Sequence, residues 1–153
     1  MIKKIMLIVN PKINAVSLVL LTLIVGSLAS TNTGTDSWYL GLAKSDLNPP
    51  GYVFGIVWPI LYFLMGITIW RTYNAIKNLF YIQLFLNAIW SWLFFSFHLP
   101  LIALLDIWLL IFINIKILLL ILKEDKLAAV LHTPYIMWLC FASYLNLFIV
   151  LNN

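Results

Sequence analysis

The chain has 153 residues, of which 64% are hydrophobic, 16% aromatic and only 9% charged. Its mean hydropathy is +1.05, whereas a soluble domain carries roughly a quarter of its residues as charges. Too little polar surface remains to coat a water-soluble globule, which leaves an all-α integral membrane protein. The net charge of +4 is no nucleic-acid signature, because the basic residues stand at the ends of apolar runs, where membrane orientation places them.

A membrane-crossing helix needs roughly 20 predominantly apolar residues. The first such run is 13–29, with an apolar stretch that reaches back to Ile5 past Pro11 and Lys12. Lys3 and Lys4, the apolar run and then Ser27-Leu28-Ala29 also resemble a secretory leader with its cleavage site. An uncleaved first helix is the reading adopted.

Residues 30–51 form a long loop rich in Ser, Thr, Asn and Gly. Long loops in small compact proteins are more often functional than idle, and this one can serve as a lid. It stops at Asn48-Pro49-Pro50-Gly51, where two prolines fix φ and stiffen the entry to the next helix.

The remaining apolar runs are 52–70, 79–97, 101–122 and 127–151, which gives a single bundle of five transmembrane helices. The connections 71–78, 98–100 and 123–126 are short, so sequential helices are expected to be antiparallel neighbours. Glu124 and Asp125, flanked by lysines, read as a solvated turn. Five crossings put Lys3, Lys4, Lys12, Arg71, Lys77, Lys123 and Lys126 on one side and leave Lys44 alone on the other. In a bacterial plasma membrane this asymmetry predicts a cytoplasmic N-terminus and an external C-terminus.

Two charges lie within a helix. Lys116 is near enough to the N-terminal side to snorkel. Asp106 is expected to face the bundle interior, in a structural hydrogen bond or in proton chemistry. The single cysteine, Cys140, cannot form an intrachain disulfide and reads as a small buried hydrophobe.

Residues 3, 4, 7 and 11 apart share a helix face. Gln83, Asn87, Trp90 and Phe94 make one stripe on the third helix; Phe54, Trp58, Tyr62 and Met65 make another on the second. Tyr135, Trp138, Ala142, Leu145 and Asn146 make a third on the fifth. An unpaired amide in hydrocarbon costs several kcal/mol, so Asn87 and Asn146 should point inward. Tyr52, Tyr73, Tyr81 and Trp70 suit a membrane-interface belt, whereas Trp58, Trp90 and Trp138 fall a turn or more inside. Pattern alone leaves two readings open: an aromatic-lined ligand cavity, with Pro59 and Pro134 opening space, or tight helix packing.

Ordinary catalytic apparatus is missing from the pattern. The sequence offers no carboxylate pair at a helical spacing, no phosphate loop and no metal-ligand cluster, so no metal site is expected. His98 and His132 fall near opposite faces of a core about 30 Å thick. They read as interfacial residues that cannot both bind one haem iron, and no cofactor is required.

Several stretches, taken in order, resemble the TspO/MBR family, the tryptophan-rich sensory and translocator proteins. They are Trp38-Tyr39, Lys44, Pro49-Pro50, Val57-Trp58, Leu61-Tyr62, Met65-Gly66, Gln83-Leu84, Leu86-Asn87, Trp90, Asp106, Pro134-Tyr135, Trp138, Phe141-Ala142 and Leu145-Asn146. The resemblance runs from about Trp38 to Asn152 and implies a five-helix bundle, often a homodimer. It further implies that the ligands are tetrapyrroles such as protoporphyrin and haem, with sterols and isoquinoline or benzodiazepine-type drugs beside them. Carried over by motif, the ligand-binding wall would comprise Tyr39, Pro49, Trp58, Tyr62, Asn87, Trp90, Trp138, Ala142 and Leu145.

Two departures stand out. The family's Lys-Pro-x-Trp-x-Pro-Pro loop is here Lys44-Ser45-Asp46-Leu47-Asn48-Pro49-Pro50, and no basic residue follows Tyr144 to complete a cholesterol motif. Three functions are carried forward: a membrane receptor or carrier for tetrapyrroles; a light- and oxygen-dependent porphyrin-degrading enzyme with Trp58 and Trp138 as candidate catalytic residues; and a scaffold whose aromatics merely pack.

Overall fold

The computed structural model describes residues 10–153. Lys3, Lys4 and the apolar stretch from Ile5 lie outside the described residues. Within them the chain is helical, with no strand. Helix α1 (Pro11–Ala29) starts where Asn10 accepts a hydrogen bond from the Lys12 amide at 3.0 Å and Pro11 takes the first helical position. The 30–51 segment is not wholly irregular. It contains a one-turn helix, α2 (Ser37–Gly41), capped by the Asp36 carboxylate on the Trp38 amide at 3.1 Å.

Helix α3 (Gly51–Ser91) corrects the expected loop at 71–78. The backbone stays helical through these polar residues and departs only at Thr72, with φ −119° and ψ 22°. Beside the kink, Thr68 and Thr72 turn their hydroxyls back onto the Leu64 and Thr68 carbonyls at 3.0 and 2.8 Å, a pattern that loosens a helix. The bend is a fold-back. Tyr62 donates a hydrogen bond to Asn87, although 25 residues of straight helix would hold them about 37 Å apart. Gln83 likewise reaches Met65 sulfur at 3.6 Å. Pro59 and Pro134 both lie within continuing helices.

A π-helical turn, Trp92–Ser96, ends α3. Helix α4 (Pro100–Glu124) follows, and α5 (Lys126–Asn152) starts after one residue. That residue, Asp125, is more than a solvated turn. One carboxylate oxygen caps α5 through the Ala128 amide at 3.1 Å, and the other takes the Arg71 guanidinium at 2.7 Å. Thus the α3 bend and the α4–α5 junction share one end of the bundle. Lys12 lies over the Trp70 ring at the same end. At the other end the chain terminus returns to the 30–51 segment, where Asn153 bonds both to the Ala43 amide and to its carbonyl, at 2.8 and 3.2 Å.

Helix α1 packs on α3, while α4 and α5 pack on each other and on α3. Ile69, Phe80, Ile117, Leu139 and Tyr135 fill the centre. Large apolar residues such as Phe63, Phe85, Met137 and Leu151 face outward, as in a protein whose solvent is lipid. Among the described residues, four helical segments are long and apolar enough to cross a membrane, the second being the doubled-back Gly51–Ser96. Two further expectations are corrected. Cys140 is exposed on this outer face, since its helix turns Leu139 inward instead. His132 is fully buried and not interfacial, because Asn114 on α4 lies within hydrogen-bond reach of its Nε2 at 3.0 Å.

Candidate functional site

A cavity of about 750 Å³ lies between α1, both arms of α3 and α5, under the 30–51 segment. Its aromatic wall comes from Phe54 and Trp58 on the first arm of α3, Trp90 on the second and Phe95 in the π turn. The covering segment adds Tyr39, Lys44, Asn48 and Pro49. Seven of the nine residues named from the sequence line the space: Tyr39, Pro49, Trp58, Tyr62, Asn87, Trp90 and Ala142. The other two do not. Leu145 is buried in the helix interface. Trp138 stands behind the wall, edge-on to Trp58 at 6.4 Å and to Phe54 at 5.7 Å.

Each wall ring is held from behind. Trp90 donates from Nε1 to Asn146 at 3.3 Å and stacks on Phe94 at 5.4 Å. Asn146 in turn donates to the Pro100 carbonyl at 2.8 Å. Trp58 leans on Tyr62 at 5.9 Å and on Trp138. The Trp138 indole N–H is buried without a partner among the described residues. Asp106 is half-buried, and its Oδ2 also lacks a hydrogen-bond partner among the described residues.

The floor is a polar chain that joins three helical segments. Tyr62 donates to Asn87, Asn87 donates to the Tyr135 hydroxyl at 2.6 Å, and that hydroxyl donates to Gln83 at 3.0 Å. Gln83 closes the chain on Met65. Asn87 therefore spends one donor and one acceptor on the bundle, while its remaining capacity faces the cavity.

Helix α1 supplies a wall the sequence reading missed, Leu23, Gly26 and Ser27, and Ser30 just past its end extends it. A Cβ at Gly26 would meet Ser91 Oγ at 3.4 Å, an ordinary contact, so α1 and α3 pass close to each other here. Ser27, Gly51, Gly55 and Pro59 line the cavity and are also exposed, so this side is open between α1 and the first arm of α3.

The cover is tied down at three points. Ser45 and Tyr144 hydroxyls meet at 2.9 Å, Asn153 grips Ala43, and His98 pairs with Asp36 at 3.0 Å. The His98 ring also stacks on Trp38 at 4.2 Å. Its φ of +54° costs a side-chain-bearing residue about 1–2 kcal/mol, a strain these two contacts offset. Burial pushes the Tyr39 phenol above its ordinary value, so it stays neutral. Neither histidine lines the cavity. Among the described residues no three His, Cys, Asp or Glu side chains converge as a metal site would need.

The TspO/MBR family model matches residues 15–151. The chain is 40% identical over 144 residues to the tryptophan-rich protein TspO of Chlorobaculum tepidum, covering 87% of this chain and 91% of that one. It is 36% identical over 149 residues to the protein of that name from Archaeoglobus fulgidus, covering 90% and 95%. It is also similar to the human translocator protein, at 33% identity over 119 residues, covering 71% and 70%.

Proposed function

The chain belongs to the TspO/MBR family of membrane proteins, and from that premise we propose that it is a receptor or carrier for tetrapyrroles. Protoporphyrin IX or haem is taken up as a ligand in the cavity beneath the 30–51 cover. The observation that carries this reading is the aromatic-walled space of about 750 Å³. It falls within the roughly 300–1,000 Å³ of small-molecule sites. Flat rings of Trp58 and Trp90 suit a planar π system, each contact contributing on the order of 1 kcal/mol. Sterols and isoquinoline or benzodiazepine-type drugs are secondary ligands of the same space. The chain crosses the bilayer five times, α3 supplying two crossings, and pairs as a homodimer. Its basic end, with Lys12, Arg71, Lys77, Lys123 and Lys126, faces the cytoplasm of a bacterial inner membrane, which leaves the covered mouth outside.

The test is a titration of the purified protein in nanodiscs with protoporphyrin IX, read by tryptophan fluorescence. Saturable quenching is expected, with affinity lowered about tenfold in Trp58→Leu, in line with loss of one stacked ring and its contacts. Quenching that rises linearly, as in empty nanodiscs, rejects the site and leaves a scaffold.

One observation favours a second reading, porphyrin photo-oxidation with dioxygen as the oxidant. Trp138 stands 6.4 Å behind Trp58, so the two indoles form a short path for one-electron exchange with a light-excited porphyrin on the cavity side. Product formation under illumination that is lost in Trp138→Phe supports the enzyme. Bleaching at the rate of free porphyrin removes it.

A further inference from the structure

We propose that Lys44 selects ligands that carry a carboxylate, or an equivalent anion, on the edge turned toward the cover. The inference rests on the tetrapyrrole reading above and names the chemical class that the site prefers: the free acid over neutral molecules of the same shape.

The first observation is one of placement. The other basic residues near helix ends gather at the end of the bundle marked by the α3 bend and the α4–α5 junction; Lys44 alone stands at the covered end. The distribution that orients the protein therefore gives no reason for a lysine there. The second is one of pairing. Arg71 has its carboxylate in Asp125, whereas Lys44 has no ion pair among the described residues. Lys44 lines the cavity, and no aspartate or glutamate does.

The third observation concerns donors. Lys44 Nζ rests on neutral groups, the Tyr39 carbonyl and the Leu42 carbonyl at 3.4 Å, with the Tyr39 ring centroid 4.5 Å away. An ammonium has three N–H donors, so one remains free. Three of the wall hydroxyls are spent. Ser27, Ser30 and Thr33 each donate to a carbonyl in the preceding turn, at 2.9, 3.0 and 3.1 Å. Asn48 donates to the Pro49 carbonyl at 3.2 Å. A ligand anion entering this rim finds one charged donor and no competing carboxylate. Lys44 is half-buried, and partial exclusion of water strengthens that attraction. Swinging Nζ from the Tyr39 carbonyl to the ligand trades a neutral acceptor for an ionised one, which makes the stronger bond.

The experiment compares protoporphyrin IX with its dimethyl ester, which keeps the ring and removes both charges. Affinities are measured at neutral pH in nanodiscs made of zwitterionic lipid. The expected result is a preference of the unaltered protein for the acid by about 10- to 100-fold, the range of a charge-assisted hydrogen bond. Lys44→Gln brings the acid-to-ester ratio close to one, Lys44→Glu turns it below one, and Lys44→Arg keeps it well above one. Equal binding of acid and ester by the unaltered protein overturns the inference and leaves the tetrapyrrole reading standing. Saturable binding of neither overturns both. A ratio unmoved by Lys44→Gln also overturns it. Should the variants fail to fold, the ratio measured on the unaltered protein decides.

Discussion

Replacing Asn87 with leucine is expected to destabilise the bundle by about 2–3 kcal/mol, and a second substitution is expected to restore part of that loss. Asn87 joins three helical segments, accepting from Tyr62 and donating to Tyr135. Removing its amide strands the Tyr62 hydroxyl, whose side chain is only 4% exposed. A buried hydroxyl without a partner costs about 1–3 kcal/mol. Tyr135 loses less, because it still donates to Gln83; an interhelical bond in a membrane averages about 0.6 kcal/mol. Leucine returns little, since lipid is as apolar as the helix interface. Tyr62→Phe should lower stability in the original protein, where it breaks the bond to Asn87. In the Asn87→Leu background it should raise stability, because it deletes the stranded group. The assay is denaturant unfolding of the four proteins in one detergent, arranged as a double-mutant cycle. A coupling of about 1 kcal/mol or more with the sign reversal supports the chain of bonds. Additive losses refute the assignment of Asn87 as the link between Tyr62 and Tyr135.

Gly26→Leu should cut protoporphyrin affinity about tenfold or more while lowering the melting temperature by a few degrees, because the new side chain enters the cavity and presses Ser91. Titration and melting of the same sample measure both. Asp125 gives a pH dependence. The Arg71 hydrogen bond, aided by the Ala128 amide, holds its carboxyl below the usual carboxylate range. The folded protein therefore gains stability from the ionised form, in full above an unfolded value of about 3.9. That gain is lost as pH falls below it toward the depressed folded value. Acid melting curves should show it, and Arg71→Gln should flatten them. His98→Ala removes the partner of Asp36 and the stack on Trp38, so amide hydrogen exchange in 30–50 should accelerate at least several-fold with little change in α4 and α5. Uniform acceleration through all helices would count against a local tether.

The long apolar helices were legible because hydrocarbon thickness imposes a length and an apolarity that no other environment demands; four of the five apolar runs lie within a helix, and 79–97 continues from α3 through the π turn. The polar stretch 71–78 has the composition of a loop yet is helical. It contains no Gly or Pro, and an interfacial helix tolerates Arg, Asn and Lys. The reversal is marked by one non-helical residue, Thr72, and nothing in the local sequence singles it out. His132 could not be placed either, since its burial depends on Asn114 of another helix, and nothing local to either residue announces the pair.

Part of the cavity wall was legible for the converse reason. An apolar chain that spends Trp, Tyr and Asn on one helical face must bury the polar atoms they carry, and the cheapest way is to aim them at each other. That rule brings Tyr62, Asn87 and Trp90 to one space, but it has an angular resolution. Residues four apart differ by about 40° around a helix, so the stripe Trp138, Ala142, Leu145 could not say which member forms the wall and which backs it. Ala142 reaches the cavity while Trp138 sits behind Trp58. Helix α1 went unread because its contribution is the absence of bulk. Gly26 and Ser30 recur at one turn and make room without advertising chemistry. Aromatic residues thus disclose where a planar guest would be gripped, and small residues disclose where it has space. A search for the first alone recovers the wall facing α5 and loses the one formed by α1, which is where the cavity opens.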